Sequence, residues 1–479
     1  MKTKLLVLRT TLSFLLPLTL LSCNKWLDVK PDSQVKDTEL FSTETGFKEA
    51  LSGVYSSLTY EPLYGRELTF GLMGVLSYEW DYASSNYDSD KTYTYKTNTN
   101  SLNRIDAIWN GLYNSVANDN KILEEIDGKK SLFTGDNYSI IKGESLALRA
   151  FIHFDLLRTF GASYEENPAK ISIPYVTASS KKIFPQLKVS EVLDQVIADL
   201  KVAEELLKVD PILTGRAVTT ADDNGYLINR QVHLNYYAVK GLLARVYLYK
   251  KDYVNALANA LVVMQTTKFP WVTQASLANR DIADLTFSTE HLFALNVVRM
   301  KLISDNAFTS TGSSTFYITR ASLLDYYNSS QQDYRFLFHF TVNNDGNYYL
   351  NKYTQLTSAN WPASYKNKLP LLKLSEMYFI AAECLKNTNY PQAVTYINAV
   401  RNARGLAASS IAEADFETVL AAEYRKEFIA EGQLFFYHKR KNNATIPKAI
   451  GLDLVALKAY KLPIPLAEME NGVGRIDNQ

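Results

Sequence analysis

The sequence predicts a mainly α-helical protein that is built from antiparallel helix hairpins. Glycine and proline are scarce, with 20 and 14 residues in a chain of 479, whereas average usage would make the two together roughly 12% of a protein. Apolar residues recur at intervals of three and four over several long segments, which is the pattern of amphipathic helices. With 47% apolar and 21% charged residues, the chain has the composition of a globular protein with a large core.

Residues 1–22 are predicted to be a lipoprotein signal peptide. A basic start that contains Lys2 and Lys4 precedes an apolar stretch, residues 12–21, which is too short to cross a ~30 Å hydrocarbon layer as an ordinary helix. The stretch ends at Ser22-Cys23, which resembles a bacterial lipobox, so Cys23 is expected to carry lipid and to become the new N-terminus. The alternative is a plain signal peptide with an incidental cysteine.

The mature chain, residues 23–479, is expected to form a single domain. The sequence has 51 basic and 50 acidic side chains, which argues against nucleic acid as a partner, because proteins that neutralise many phosphates carry a surplus of lysine and arginine. The only other cysteine is Cys384, so a lipidated Cys23 leaves no intramolecular disulfide.

The helical pattern is clear in residues 190–207, where Val192, Val196 and Leu200 belong to one apolar stripe. Seven further segments show the same periodicity and are predicted to be helices. They are residues 102–126, 140–160, 235–250, 253–265, 371–385, 391–404 and 415–439.

Two of the predicted helix pairs share a spacing of small and larger residues. The matching positions are Ala244, Tyr247, Tyr253 and Ala256 in the first pair, and Ala381, Cys384, Tyr390 and Ala393 in the second. This spacing resembles the tetratricopeptide helix hairpin, in which small residues let two antiparallel helices approach closely. Because a stack usually needs at least about three such units, degenerate copies are expected among the remaining helices.

A β-hairpin is predicted between residues 336 and 353. Phe336, Phe338 and Phe340 alternate toward Asp345-Gly346, a dipeptide that is typical of tight hairpin turns. An extended segment is expected after the turn.

Residues 78–95 form a second irregular stretch, which contains six aromatic residues among Ser, Asp, Asn and Thr. If the stretch is extended, Tyr78, Trp80 and Tyr82 share one face. That face is either the buried side of a small sheet or a surface for a ligand. The neighbouring polar side chains favour a ligand of the sugar type, because a sugar offers a C–H face for stacking and hydroxyl groups for hydrogen bonds.

The sequence lacks the common motifs of enzyme sites. Its five histidines are scattered without the spacing of a zinc site, and it has neither a phosphate-binding glycine loop nor a nucleophile elbow. No catalytic residue, cofactor or metal site is therefore predicted.

The most enzyme-like group is the row Glu423, Glu427 and Glu431, whose spacing places three carboxylates on one face of a predicted helix. Glycosidase carboxylates usually approach from two elements across a cleft, at ~5–9.5 Å. This row instead belongs to a single helix that is rich in lysine and arginine. Structural ion pairing is the preferred interpretation, and a helical-scaffold glycoside hydrolase is the alternative.

A series of short motifs resembles the SusD/RagB family of outer-membrane nutrient-binding lipoproteins. The Cys23 lipobox is followed by Trp26-Leu27-Asp28-Val29-Lys30-Pro31, and Leu462-Pro463-Ile464-Pro465 lies near the C-terminus. The chain departs from the family pattern at Tyr424 and at residues 433–437. Further matches between the two ends are Leu51-Ser52-Gly53-Val54-Tyr55, Trp109, Tyr113, Asn120, Glu144, Arg149-Ala150-Phe151, Phe160-Gly161, Asp333, Arg335, Lys352-Tyr353, Glu376, Ala382-Glu383, Asn398, Arg401, Gly405 and Arg440.

The resemblance implies a right-handed superhelix, in which four tetratricopeptide-like hairpins form a scaffold and inserted loops and small β-hairpins form the ligand face. It also implies capture without catalysis, because family members hold oligosaccharides, or in some branches peptides, on SusC-like TonB-dependent transporters. The chain is therefore expected to be a surface lipoprotein of the outer membrane with such a transporter as partner. The alternative from another class is an envelope adaptor that holds protein partners in its helical grooves.

The predicted ligand-binding residues are Trp80, Tyr82, Asn86, Asp88 and Trp361. Trp361 lies in a second aromatic and polar stretch, just before the helix predicted from residue 371. If the scaffold brings the two stretches together, the rings form a shallow stacking platform with Asn86 and Asp88 as polar partners. The identity of the ligand is not predicted, because selecting loops are the least patterned parts of a chain.

Overall fold

The computed structural model describes residues 37–180, 182–312, 315–328 and 330–478; the predicted signal peptide and Cys23 lie outside them. Its strands are β1 (Tyr82–Ala83), β2 (Ile171–Pro174), β3 (Gln186–Lys188), β4 (His291–Asn296), β5 (Phe316–Tyr317), β6 (Phe340–Val342), β7 (Tyr348–Leu350) and β8 (Lys368–Lys373). Its helices are α1 (Asp37–Leu40), α2 (Glu44–Leu58), α3 (Leu72–Leu76), α4 (Asp88–Lys91), α5 (Thr99–Ile126), α6 (Asn137–Phe160), α7 (Val189–Leu206), α8 (Pro211–Thr214), α9 (Tyr236–Tyr249), α10 (Tyr253–Met264), α11 (Gln274–Ala278), α12 (Met300–Ala307), α13 (Arg320–Tyr326), α14 (Tyr334–His339), α15 (Leu374–Leu385), α16 (Tyr390–Ala403), α17 (Phe416–Glu427), α18 (Gln433–Lys441) and α19 (Leu466–Asn471). None of the described helices combines the length and apolar character that a membrane span needs.

Six of the eight predicted helical segments correspond to single helices, and their ends lie within about three residues of the predicted ends. Capping residues in the sequence explain this agreement. The side chain of Asn98 accepts a hydrogen bond from the Ser101 amide at the start of α5, and Asn235 accepts one from the Ala238 amide in α9. Each cap satisfies an amide that the first turn of a helix leaves unpaired.

The long helices form one continuous stack that follows the chain. α2 packs on α5, α5 on α6, α6 on α7, α7 on α9, α9 on α10, α10 on α15, and α15 on α16. Ala244 of α9 and Ala256 of α10 are fully buried, as are Ala381 of α15 and Ala393 of α16. Small buried residues let paired helix backbones approach closely, so the predicted hairpins and the mainly helical fold class are confirmed.

The predicted helix at residues 371–385 is wrong in its first turn. The helix α15 begins at Leu374, and the preceding residues form β8, which pairs antiparallel with β4. β8 is almost entirely buried. A short run of apolar residues fits a buried strand as well as it fits a helix, so periodicity alone cannot separate the two.

The predicted helix at residues 415–439 is also wrong as a single element, because it divides into α17 and α18. The break contains Ala430 and Gly432, whose φ angles are 64° and 72°. A Cβ atom at Gly432 would lie 2.1 Å from the carbonyl oxygen of Leu68. Glycine is therefore needed here both for its positive φ and for the close approach of the two backbones.

Short strands join several loops between the helices into a small sheet. β1 pairs antiparallel with β5, which places Tyr82 opposite Tyr317. β6 pairs antiparallel with β7, and a single bridge between Ile318 and Tyr348 links the two strand pairs. We call β1, β5, β7 and β6 together the insert sheet.

The predicted β-hairpin is confirmed only from Phe340 onward. β6 and β7 flank a turn in which Gly346 has a φ of 76°. Phe336 and Phe338 lie instead in α14, so the predicted alternation is wrong before Phe340. The side chain of Asp333 caps this helix by accepting a hydrogen bond from the amide of Arg335 at 2.9 Å, and a cap of this kind favours a helical turn.

Candidate ligand-binding site

The insert sheet presents a pair of stacked aromatic rings at the surface. The ring centroids of Tyr82 and Tyr317 lie 5.0 Å apart, with an angle of 9° between the ring planes. Tyr82 is 42% exposed, and Tyr317 is partly exposed. Tyr349 of β7 lies next to Tyr317, with ring centroids 5.8 Å apart. A flat ring surface is therefore accessible to a ligand at Tyr82, one of the predicted residues.

The predicted exposure of Trp80 and Trp361 is wrong. Only 2% of Trp80 and 4% of Trp361 are exposed. The indole N–H of Trp80 donates to the carbonyl of Phe70 at 2.8 Å, and that of Trp361 donates to the carbonyl of Ala283 at 3.0 Å. A buried tryptophan needs such an acceptor for its single donor. Both rings thus serve packing, and the predicted platform of Trp80, Tyr82 and Trp361 does not form.

The other tyrosines of residues 78–95 anchor this stretch to its surroundings through their hydroxyl groups. Tyr78 donates to the Lys91 carbonyl at 2.5 Å, and Tyr87 donates to the Glu67 carboxylate at 3.0 Å. Tyr93 donates to the Leu76 carbonyl at 2.7 Å, and Tyr95 donates to the Ala459 carbonyl at 3.1 Å. The chain has 32 tyrosines among 479 residues, and these phenols, which satisfy hydrogen bonds within the protein, explain part of that high tyrosine content. The stretch that carries Tyr82 is consequently fixed in place.

The acidic and amide side chains of the same stretch divide into internal and exposed groups. The carboxylate of Asp81 accepts hydrogen bonds from the amide and hydroxyl of Thr319, both at 2.7 Å, and from the hydroxyl of Ser322 at 2.9 Å. Asp81 thereby fastens β1 to the residues that follow β5. Asn86 and Asp88 are exposed, as a role in ligand binding requires.

Asn86 lines a polar cleft of about 240 Å³ beside the start of α5. Arg66, Asn100, Asn103 and Arg104 supply further polar groups to the walls of the cleft. Asn100 and Asn103 are three residues apart on α5, so they lie on the same face of that helix. Both are exposed, as Asn86 is, and their amide groups are available to a ligand in the cleft.

Glu67 holds both arginines of the cleft in fixed positions. This carboxylate is buried and accepts a hydrogen bond from Nε of Arg66 at 2.8 Å, while Nε of Arg104 lies 3.5 Å from its other oxygen. Arg104 also donates to the Asp90 carboxylate at 2.5 Å and to the main-chain carbonyl of Asn86 at 3.2 Å. The donors of the cleft are therefore arranged before any ligand binds, which lowers the entropic cost of binding.

The ring pair and the polar cleft are close neighbours along the chain. Tyr82 and Asn86 are four residues apart, so their Cα atoms are separated by no more than about 14 Å. The cleft is smaller than the ~300–1,000 Å³ of typical ligand pockets, so a larger ligand would extend from it across the surface. Flat rings beside fixed hydrogen-bonding groups are the combination that a sugar needs.

The acidic row Glu423, Glu427 and Glu431 is buried in ion pairs, in agreement with the preferred interpretation. Glu427 accepts from Arg404 at 2.6 Å, from Arg335 at 3.1 Å and from Lys373 at 3.2 Å. The prediction that all three carboxylates share one helix face is wrong, because α17 ends at Glu427. The third carboxylate lies in the break between α17 and α18.

Glu423, the first carboxylate of the row, is held in its ionised form. Its carboxylate contacts Arg335 and Arg401, both at 2.9 Å, and Lys426 at 2.6 Å. Burial raises the pKa of Glu423, but the positive charges of these neighbours outweigh burial and lower the pKa to about 2. A carboxylate that is ionised and fully paired has no proton to give to a leaving group.

In the parts of the chain that the structure describes, no group of three or more His, Cys, Asp or Glu residues is arranged to hold a metal ion.

Sequence reasoning missed Tyr317, Arg66 and Arg104. Tyr317 pairs with β1, a strand that lies more than two hundred residues earlier in the chain. A pattern within a short stretch of sequence cannot predict such a pairing. The run Thr315-Phe316-Tyr317-Ile318 has high β-propensity, which was the one available signal. The two arginines are recognisable only when the fold places them around Asn86.

The sequence matches two family patterns over most of its length. A family described as "Starch-binding associating with outer membrane" matches residues 25–248. The SusD family matches residues 321–449.

A sequence relative points in the same direction over a shorter range. SusD-like protein P38 of Formosa agariphila is 28% identical over 195 residues, which are 39% of this chain and 35% of that protein. The matched region thus spans about a third of the relative's length.

Solved structures share the fold over nearly the whole chain. A SusD superfamily protein from Bacteroides vulgatus aligns with a TM-score of 0.72 at 20% identity, covering 91% of this chain and 98% of that one. A structure named "Laminarin binding SusD-like protein" aligns with a TM-score of 0.65 at 19% identity, covering 91% and 99%. The solved structures show the shared fold, and the two family matches, over residues 25–248 and 321–449, establish that the chain belongs to the SusD/RagB family.

Proposed function

We propose that the protein binds oligosaccharides at the cell surface and delivers them intact to a SusC-like TonB-dependent transporter. The observation that carries this proposal is the exposed Tyr82–Tyr317 ring pair beside the polar cleft at Asn86. The rings suit the C–H face of a sugar, and the cleft suits its hydroxyl groups. Membership of the SusD/RagB family supports the proposal, as does the family's description as starch-binding.

The proposed ligand lies across both parts of the site. One sugar unit occupies the cleft, where Arg66, Asn86 and Asn103 offer hydrogen-bond partners. The next units extend over Tyr82 and Tyr317. Binding of this kind needs no catalytic group, and we propose that the protein releases its ligand unchanged.

We further propose that residues 1–22 are removed, that the rest forms one domain, and that a diacylated Cys23 holds it on the outer membrane. Two acyl chains give stable anchoring, whereas one gives only marginal binding. Metabolic labelling with a palmitate analogue tests the anchor. The unaltered protein should carry label and Cys23→Ala should not; label on Cys23→Ala, or unaltered protein recovered free in the periplasm, would contradict the proposal.

Calorimetry with laminarin-derived and starch-derived oligosaccharides tests the binding function, and chromatography of the recovered sugars tests for cleavage. The expected result is saturable binding of at least one of these oligosaccharides, which is recovered at its original length. Shortened products would revive the glycoside hydrolase alternative. Binding of peptides, with no binding of either sugar, would contradict the proposed ligand class.

The transporter partner is tested by affinity purification from membranes of the cells that make the protein. The expected co-purified partner is a large outer-membrane transporter of the β-barrel type. Recovery of soluble envelope proteins in its place would favour the adaptor alternative.

A further inference from the structure

A groove of about 530 Å³ lies beside the middle of α5. Its other walls are the loop between β2 and β3, and α19 with the residues that follow it near the C-terminus. The groove shares no lining residue with the polar cleft at Asn86. We call it the terminal groove.

The walls of the terminal groove offer open apolar surface. Tyr113 of α5 is partly exposed. In the loop, Val176 and Phe184 are partly exposed, and Ile183 is 48% exposed. Three more large apolar side chains are exposed on the C-terminal wall segment, namely Leu466, Val473 and Ile476. Exposed apolar side chains that gather in this way mark a surface that another segment or molecule covers.

Hydrogen bonds fix the two outer walls to each other. Nη1 of Arg475 donates to the carbonyl of Phe184 at 2.7 Å. The amide of Ile476 donates to the side-chain oxygen of Gln186 at 2.7 Å, and the side-chain amide of Gln186 donates to the carbonyl of Ile476 at 3.1 Å. The groove is therefore formed before a segment occupies it, which lowers the entropic cost of binding.

The start of the described chain lies near the same end of α5 as the terminal groove. The ammonium group of Lys129 lies 5.9 Å from the centre of the Phe41 ring. Lys129 is five residues from Glu124, so their Cα atoms are at most about 19 Å apart. Glu124 in turn accepts a hydrogen bond at 2.8 Å from the amide of Ser179, which lines the groove. The thirteen residues 24–36 can span about 45 Å, so they are long enough to enter the groove.

Residues 24–36 carry side chains that complement the terminal groove. Trp26 and Leu27 are large apolar residues, and covering them with apolar surface is favourable. Asp28 follows them directly. The groove contains Lys182, which is exposed and forms no ion pair within the described part of the chain. Apolar side chains beside one acidic group thus meet apolar walls beside one unpaired cation.

We infer that the terminal groove binds residues 24–36 of the same chain, with the Trp26 ring against Ile183. The main-chain groups of a bound segment need hydrogen-bond partners. The exposed side-chain amides of Asn110 and Asn471 line the groove and can supply them.

This contact joins the two ends of the chain and limits how far the folded body can move from Cys23. It goes beyond the proposed function, because it depends neither on a lipid at Cys23 nor on sugar binding at Tyr82. Its failure would therefore leave both of those proposals untouched.

Fluorescence of the purified full-length protein tests the inference, with acrylamide as the quencher. In each background, the Trp26 signal is the difference between the protein with Trp26 and the same protein with Trp26→Phe. The Trp26 signal should resist quenching in the unaltered protein. Ile183→Asp should make it several-fold more sensitive to acrylamide, because a charge against the ring disfavours the contact. Val254→Asp is the matched control, since Val254 is 81% exposed and lies on α10, and it should leave the quenching unchanged.

Three results would overturn the inference. The first is a Trp26 signal that acrylamide quenches freely in the unaltered protein. The second is a shielded signal that Ile183→Asp leaves unchanged, which would place the segment elsewhere. The third is shielding that disappears on dilution, which would assign the groove to a second copy of the chain.

A photo-crosslinker provides a second readout that does not need Ile183→Asp to fold. Benzoylphenylalanine in place of Trp26 should crosslink, within the same chain, to residues 109–117, 176–184 or 468–475, which contain the walls of the groove. Mass spectrometry of the digested protein locates the crosslink. Crosslinks only to other parts of the chain, crosslinks only between two copies, or no crosslink would contradict the inference.

Discussion

The Tyr82 ring stacks on the Tyr317 ring across the β1–β5 strand pair, with ring centroids 5.0 Å apart and nearly parallel planes. Their strands belong to loops that are distant in the sequence, so the ring pair exists only in the folded chain. Asp81, directly before Tyr82, ties these two loops together through Thr319 and Ser322. Internal polar contacts thus hold the exposed rings in position.

Trp80→Ala should destabilise the protein by about 3–5 kcal/mol, because it removes a large buried ring and leaves a cavity. The Phe70 carbonyl would also lose its indole donor. Tyr82→Ala, two residues later, is the matched control and should change stability by less than about 1.5 kcal/mol, the upper range for an aromatic pair. Urea unfolding measures both values. Equal stability of the two variants would show that Trp80 does not belong to the core.

Glu427→Gln should lower the free energy of unfolding by about 3–5 kcal/mol, because it leaves buried positive charges without compensation. Arg404, Arg335 and Lys373 all contact this carboxylate. Glu205→Gln is the control, since it breaks the exposed pair with Lys208 and should change stability little. Denaturant unfolding of both variants checks the prediction, which a small loss for Glu427→Gln would contradict.

Stability should fall as the pH drops below 6.5, partly because His153 is held neutral in the fold. Burial lowers the pKa of His153 to about 4, whereas an unfolded histidine has a pKa of about 6.5. Its Nε2 accepts the Val176 amide at 2.9 Å, and Nδ1 lies 2.8 Å from the Arg149 carbonyl. The unfolded chain therefore binds one more proton between these two pKa values, and stability rises with pH by about 1.4 kcal/mol per unit.

The contribution of His153 is fully present above pH 6.5 and is lost as the pH falls toward 4. In His153→Gln, the free energy of unfolding should rise less steeply with pH in this window, by about 1.4 kcal/mol per pH unit, because one titrating group has been removed. Unfolding curves from pH 4 to 7 at constant ionic strength measure the difference. If the free energy of unfolding changed with pH equally in the variant and in the unaltered protein, His153 would not be a cause of the pH dependence.

The scaffold could be predicted from the sequence because its signals are local. The apolar stripe of residues 190–207 follows the helical period. Alanines at matching positions, Ala244 with Ala256 and Ala381 with Ala393, predicted the two helix hairpins. Each of these signals lies within a few residues of the feature that it predicts, so no tertiary information was needed.

The candidate site could be predicted only in part because it depends on distant contacts. The alternation of side chains along an extended segment predicted that Trp80 and Tyr82 share one face. In the structure, however, the Trp80 ring lies in the core and the Tyr82 ring lies at the surface. Tyr78 has a φ of 55° and interrupts the extended stretch at its start. Tyr317 and Arg66 reach the site from other parts of the chain, and a single sequence does not contain the pairing that brings them there.

The central claim is that sugars bind at the Tyr82–Tyr317 ring pair, and calorimetry of Tyr82→Ala and Tyr317→Ala tests it most directly. The oligosaccharide that binds the unaltered protein serves as the ligand. Tyr60→Ala is the control, because Tyr60 is 60% exposed and lies outside the insert sheet. Each variant in the pair should lose about 2 kcal/mol of binding free energy, or some thirtyfold in affinity. Each should still fold, with a stability loss of less than about 1.5 kcal/mol, while the control retains full affinity. Unchanged affinity in both folded variants would place the sugar site elsewhere and contradict the account.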